Sequence, residues 1–156
     1  MSVKKTKAIE LPEVNFSEYG DSRYLHLGTP WIQGAMNIKA PFDLDLEYVQ
    51  RMMAGLLFLK STSVAGRHAM QLGLGAASLT KFCYKKLKWT CTAIELNPGV
   101  LHACRGWFKL PEDGARMRVI SAHCERADGE IAFNSRKATR KTVGKRFRGS
   151  GFTRAQ

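Results

Sequence analysis

Between Met70 and Glu95 the chain carries one pattern that few folds can accommodate. Met70-Gln71-Leu72-Gly73-Leu74-Gly75-Ala76-Ala77-Ser78-Leu79 reads as an apolar strand, a tight glycine turn and a helix start. Trp89-Thr90-Cys91-Thr92-Ala93-Ile94-Glu95 reads as a second strand with a carboxylate at its end, about 20 residues after the turn. Glycines let backbone approach a ligand closely, the helix start offers unpaired N–H groups, and a carboxylate at the tip of the next strand can accept both hydroxyls of a ribose. Two strands joined by a helix are parallel neighbours, so the pattern demands an α/β unit. It describes a nucleoside-cofactor pocket around Gly73, Gly75 and Glu95. Without a ligand, the same residues make an ordinary strand-to-helix turn with a solvated Glu at a strand end.

With 156 residues and 44 % hydrophobic content, the chain can build one domain with a real core. Its net charge of +12 is uneven: residues 123–156 hold nine Lys and Arg against three Asp and Glu. A basic surface suits nucleic acid or acidic membranes, but here the excess sits largely in a tail. Cys83, Cys91, Cys104 and Cys124 show no metal-ligand spacing and read as small buried residues of a reducing compartment; no metal site is expected. Met1-Ser2-Val3-Lys4-Lys5 is not followed by an apolar segment, and the run Met52–Leu59 is too short for a bilayer. A soluble, cytoplasmic protein without a membrane partner is expected.

Residues 1–20, punctuated by Pro12 and Gly20, read as a flexible arm. Residues 21–66 read as a β-hairpin and a helix. The hairpin joins Arg23–Leu27 to Trp31–Ile38 through Gly28-Thr29-Pro30. Leu46, Val49, Met53, Leu56 and Leu57 share one helical face, with acidic residues ahead of them; 60–66 is a loop. Residues 67–122 form the first half of a Rossmann-like domain: a strand over 67–73, a helix over 77–88, a strand to Glu95, a helix opened by Asn97-Pro98, and a strand over 117–120. In the helix over 77–88, Leu79, Phe82 and Cys83 should face inward, and Lys81, Lys85, Lys86 and Lys88 outward. Residues 123–156 lack an apolar period, so they read as a disordered basic tail.

Residues 19–120 resemble the spermidine synthase (polyamine aminopropyltransferase) family, in particular the bacterial spermidine-synthase-like proteins. The resemblance rests on Tyr24-Leu25-His26-Leu27-Gly28-Thr29-Pro30-Trp31-Ile32-Gln33-Gly34-Ala35-Met36, on Tyr48-Val49-Gln50-Arg51-Met52-Met53-Ala54, on Gln71-Leu72-Gly73-Leu74-Gly75 and on Ala93-Ile94-Glu95-Leu96-Asn97-Pro98. The glycine and Glu motifs are common to all class I S-adenosylmethionine methyltransferases; the hairpin and the Met-Met helix point to the narrower family. The resemblance implies decarboxylated S-adenosylmethionine or S-adenosylmethionine as the nucleoside-sulfonium substrate, with Gly73, Gly75, Glu95 and Gln33 around it and a polyamine as acceptor. The chemistry it implies is in-line attack by a neutral amine on the carbon beside the sulfonium, with a carboxylate taking the proton.

Several family features are replaced here. Ala76 stands where the glycine loop commonly continues with an Asp. Gln33 and Asn37 take the Asp and Gln of an Asp-Gly-x-x-Gln signature in which Gly34 matches. Gln50-Arg51 does not reproduce the His/Tyr-Glu ahead of the helix Met, Ser121–Cys124 supplies no acid for adenine, and no catalytic residue can be assigned. The expectation is an apparently truncated synthase-like protein, inactive as this chain alone. It would combine a partial Rossmann-like sheet, an N-terminal β-hairpin region, an open sheet edge that invites homo-oligomers, and a basic tail. That tail reads as sequence from a shifted reading frame or a replaced terminus; a nucleic-acid arm is the rival reading. A methyltransferase-like protein and a non-catalytic fragment are the other functional readings.

Overall fold

A computed structural model describes residues 10–60, 63–121, 123–127 and 130–134. Three strands open the chain: β1 (Val14–Tyr19), β2 (Ser22–Leu27) and β3 (Gly34–Asn37), paired antiparallel in that order. Tyr19 pairs with Ser22 across a two-residue loop in which Gly20 has φ +59°. A left-handed residue there matches the twist of the strands it joins. The N-terminal hairpin is therefore a three-stranded sheet, and 14–19, expected within the arm, is its outer strand. The strand was hidden because it is an exposed edge: only Val14 is even half-buried, so no alternation marks it.

The expected long helix is short. α1 (Glu47–Met52) tightens at once into a 3₁₀ segment, Met53–Phe58. Gly55 sits in the middle of that segment, and glycine is a poor helix former. Val49 is buried and Met53 and Leu56 half-buried, but Leu57, placed on the same face by its spacing, is 85 % exposed.

The second sheet is parallel, in the order β4 (His68–Leu72), β5 (Thr90–Glu95), β6 (Met117–Ser121), with Ala69 beside Cys91 and Ala93 beside Val119. α2 (Ser78–Lys85) and α3 (Pro98–Gly106) connect the strands and cover one face of the sheet. Cys91, Ala93, Met117, Val100, Cys104 and Phe108 meet there as the core. This is the expected α/β, Rossmann-like arrangement with a parallel sheet of three strands.

Lys81 corrects the reading of α2: it is not outward but 1 % exposed, with Nζ donating to the Phe108 carbonyl at 2.7 Å. Its helical spacing from Lys85 suggested a wet face, but the C-terminal end of α3 closes over it. Two further strands, β7 (His123–Ala127) and β8 (Glu130–Asn134), pair antiparallel where no structure was expected. The expected disorder of 135–156 lies outside the described residues.

Candidate functional site

The Gly73-Leu74-Gly75 loop leaves the C-terminal end of β4 with Gly73 at φ +75° and Gly75 at φ +53°, conformations that side chains with a Cβ rarely adopt. Gly73 N donates to the Ile94 carbonyl at 2.8 Å, so the turn continues the ladder toward β5. Glu95, at the tip of β5, is 8 % exposed. Its two oxygens accept from different backbone amides: Oε2 from Leu74 N at 2.6 Å and Oε1 from Asn97 N at 2.8 Å. The carboxylate thus fastens the glycine loop to the start of α3. Each oxygen retains a lone pair for a further donor.

The two sheets meet at this loop. A Cβ on Gly34 would lie 2.7 Å from Ala76 Cβ and 2.7 Å from Ala76 N, so only glycine permits β3 to seat on the loop. Ser78 Oγ, at the start of α2, donates to the Ala35 carbonyl at 2.6 Å. The result is a cavity of about 370 Å³ between the sheets, with Gln33, Gly73, Gly75 and Glu95 all in its wall. That size falls in the usual range of small-molecule sites, about 300–1,000 Å³. The structure thus brings together all four residues expected from the sequence.

Sequence reasoning missed other parts of the wall. Tyr48 and Met52 reach it from α1, and the Leu74 amide orients Glu95. Helical periodicity marks Tyr48 and Met52 only as off the buried face, and a backbone donor leaves no trace in residue type. Ala76, 2 % exposed against Gly34, lines the cavity, and among the described residues Glu95 is the one carboxylate in the wall.

Beneath the loop, the Cys104 thiol donates to the Gly75 carbonyl at 3.0 Å. Burial pushes this thiol up to about 12, against the opposing pull of Lys81. Burial also brings the Lys81 ammonium down to about 8, with Cys104 acting in the other direction. Among the described residues no group of three or more His, Cys, Asp or Glu could hold a metal, and no helix is long and apolar enough to cross a membrane.

No protein-family model matches the chain. Polyamine aminopropyltransferases from Neisseria meningitidis, serogroups A and B, are 39 % identical to it over 112 residues, covering 71 % of this chain and 41 % of theirs. The polyamine aminopropyltransferase of Chromobacterium violaceum is 37 % identical over 113 residues, 72 % of this chain and 42 % of its own. A probable spermidine synthase from Corynebacterium glutamicum shares the fold, with a TM-score of 0.58 at 16 % identity over 76 % of this chain and 46 % of that one. The chain therefore spans about two fifths of the length of the curated relatives it matches. With the parallel sheet, the glycine loop and Glu95 in place, the chain is similar over seven tenths of its length to the polyamine aminopropyltransferases.

Proposed function

We propose that the cavity binds the nucleoside end of decarboxylated S-adenosylmethionine, in a protein whose family reaction is aminopropyl transfer to a polyamine. The observation that carries this reading is the Glu95 carboxylate, buried and held at the tip of β5 beside the Gly73–Gly75 loop. Glu95 accepts the two ribose hydroxyls, while Gln33 approaches from the N-terminal sheet. The sulfonium substrate supplies the transferred group when bound. This chain orients the nucleoside and shields it from water with Met52 and Val100, which line the same wall. Amine attack also needs a carboxylate to take the proton. Glu95 is committed to two backbone amides and no second acid lines the cavity among the described residues, so the residues seen here hold the nucleoside and do not supply that base.

Ala76 favours one second reading, a methyltransferase-like site for S-adenosylmethionine. With no acid on the loop, nothing there selects the amine end of the decarboxylated substrate. Titration calorimetry separates the two. 5′-Methylthioadenosine should bind in either case, and Glu95→Ala should lose about 2–4 kcal/mol of binding through two hydrogen bonds to a charged acceptor. Preference for the decarboxylated sulfonium supports aminopropyl transfer; preference for S-adenosylmethionine supports the second reading. Equal binding by wild type and Glu95→Ala would remove the site.

A further inference from the structure

β1 and β2 place Ser17 and His26 on one face of the N-terminal sheet. Asn15 stands opposite His26 and Ser17 opposite Tyr24, so Ser17 and His26 are diagonal neighbours across the strand pair. Ser17 Oγ and His26 Nε2 are 2.8 Å apart. The other ring nitrogen, Nδ1, lies 3.2 Å from the Trp31 carbonyl oxygen. A carbonyl only accepts, so in the neutral ring Nδ1 carries the proton and Nε2 presents its lone pair. The Ser17 hydroxyl therefore donates to Nε2. Gly28, at φ +62°, turns the chain after β2 so that the Trp31 carbonyl returns to the ring. A nucleophile, a base and a group that orients the base thus stand in line, the arrangement that activates a serine.

The pair opens on a shallow cavity of about 550 Å³ that Asn15, Gly28 and Thr29 also line. This cavity shares no lining residue with the candidate nucleoside cavity. We propose that Ser17 is an acyl-accepting nucleophile, with His26 as its base, toward small carboxylic esters that carry a good leaving group. Ser17 Oγ attacks the ester carbonyl carbon while its proton passes to His26 Nε2. The carbon–oxygen bond to the alcohol breaks, and the alcohol leaves with that proton. The acyl group stays on Ser17 as an ester. Water then attacks the acyl carbon and gives a proton to Nε2, which returns it to Ser17 Oγ as the carboxylic acid departs. The Asn15 side-chain amide and the Gly28 and Thr29 backbone N–H groups are the donors this cavity offers to the oxyanion. Trp31 supplies a carbonyl where a Ser-His-Asp triad places a carboxylate, so turnover is slow and needs an activated leaving group.

The test treats the full chain with phenylmethylsulfonyl fluoride, which leaves a stable adduct on an activated serine, and reads the label serine by serine by peptide mass spectrometry. Ser63 is the internal reference: it too is exposed, but its hydroxyl donates to the Lys60 carbonyl and not to a ring nitrogen. In the wild type, Ser17 should label about 100-fold faster than Ser63, the lower end of what a positioned general base contributes. His26→Gln should remove that advantage. Hydrolysis of p-nitrophenyl acetate by the full chain should fall about tenfold or more in Ser17→Ala. Labelling of Ser17 no faster than of Ser63 would overturn the proposal, and that comparison needs no variant to fold. So would wild-type labelling of Ser17 in His26→Gln, since the hydroxyl would then owe nothing to the ring. Equal ester hydrolysis by wild type and Ser17→Ala would overturn it as well. None of these readouts involves the nucleoside, so they stand apart from the fate of the ligand site.

Discussion

Lys81 places a cation in the driest part of the molecule, with one carbonyl, that of Phe108, as its hydrogen-bond partner. Its folded pKa of about 8 lies below the ordinary 10.5, so the unfolded chain binds more protons between those values and stability rises with pH across them. The buried thiols act oppositely. Burial raises Cys83, Cys91 and Cys104 above their ordinary 9.0, so stability falls as pH climbs beyond 9. The thermal midpoint should therefore peak between about pH 8 and 9, set by those two limits. Lys81→Met should erase the rising limb and keep the falling one, as a pH series of melting curves would record. The sequence hinted at none of this, because burial of Lys81 depends on Phe108, 27 positions away. Glu95 was legible for the opposite reason: its spacing from the glycine turn is local, and the strand–turn–helix pattern dictates where it points.

At the scale of elements, α3 shows how one residue ties three segments together. Asn97 Oδ1 accepts from Gly99 N, its Nδ2 donates to the Pro12 carbonyl, and its backbone N–H reaches Glu95. Asn97→Ala should cost about 1–2 kcal/mol, the usual loss for an N-cap, measured by urea unfolding. Asn97→Asp should recover the cap while leaving the Pro12 carbonyl without its donor. The Asn-Pro start of this helix was plain in the sequence, as were β4, β5 and β6, since apolar runs bounded by turn residues mark buried parallel strands. β1 was not, because an edge strand with an exposed side has no periodicity to read. α1 is shorter than its apolar spacing implies, because that spacing continues through Gly55 while the α-helical geometry does not.

For the whole molecule, the seam between the antiparallel and parallel sheets decides whether a cavity exists at all. Gly34→Ala would force a Cβ to within 2.7 Å of Ala76. The seam should open at a cost of about 1–3 kcal/mol, as overpacking does elsewhere. Binding of 5′-methylthioadenosine should fall with it, although Gly34 offers a ligand no side chain. Calorimetry at a temperature where the variant remains folded checks both. Retained affinity would mean that the parallel sheet alone carries the site. The seam was half legible: the Gly34 motif was visible by family, but its reason, contact with a loop 42 positions later, belongs to packing.

The two amides on Glu95 also bear on the rate and heat of binding. A free glutamate must give up its rotamers when a ligand orders it; this one has done so during folding, anchored by Leu74 and Asn97. Under the proposed function, a hydroxyl pair arriving at the cavity would meet acceptors already aimed, so association would need no rearrangement of Glu95 and little ordering entropy would be lost there. The same anchoring makes the traffic two-way. A ligand that grips Glu95 also damps the glycine loop and the first turn of α3, and its presence should be felt as slowed motion in backbone that it never touches.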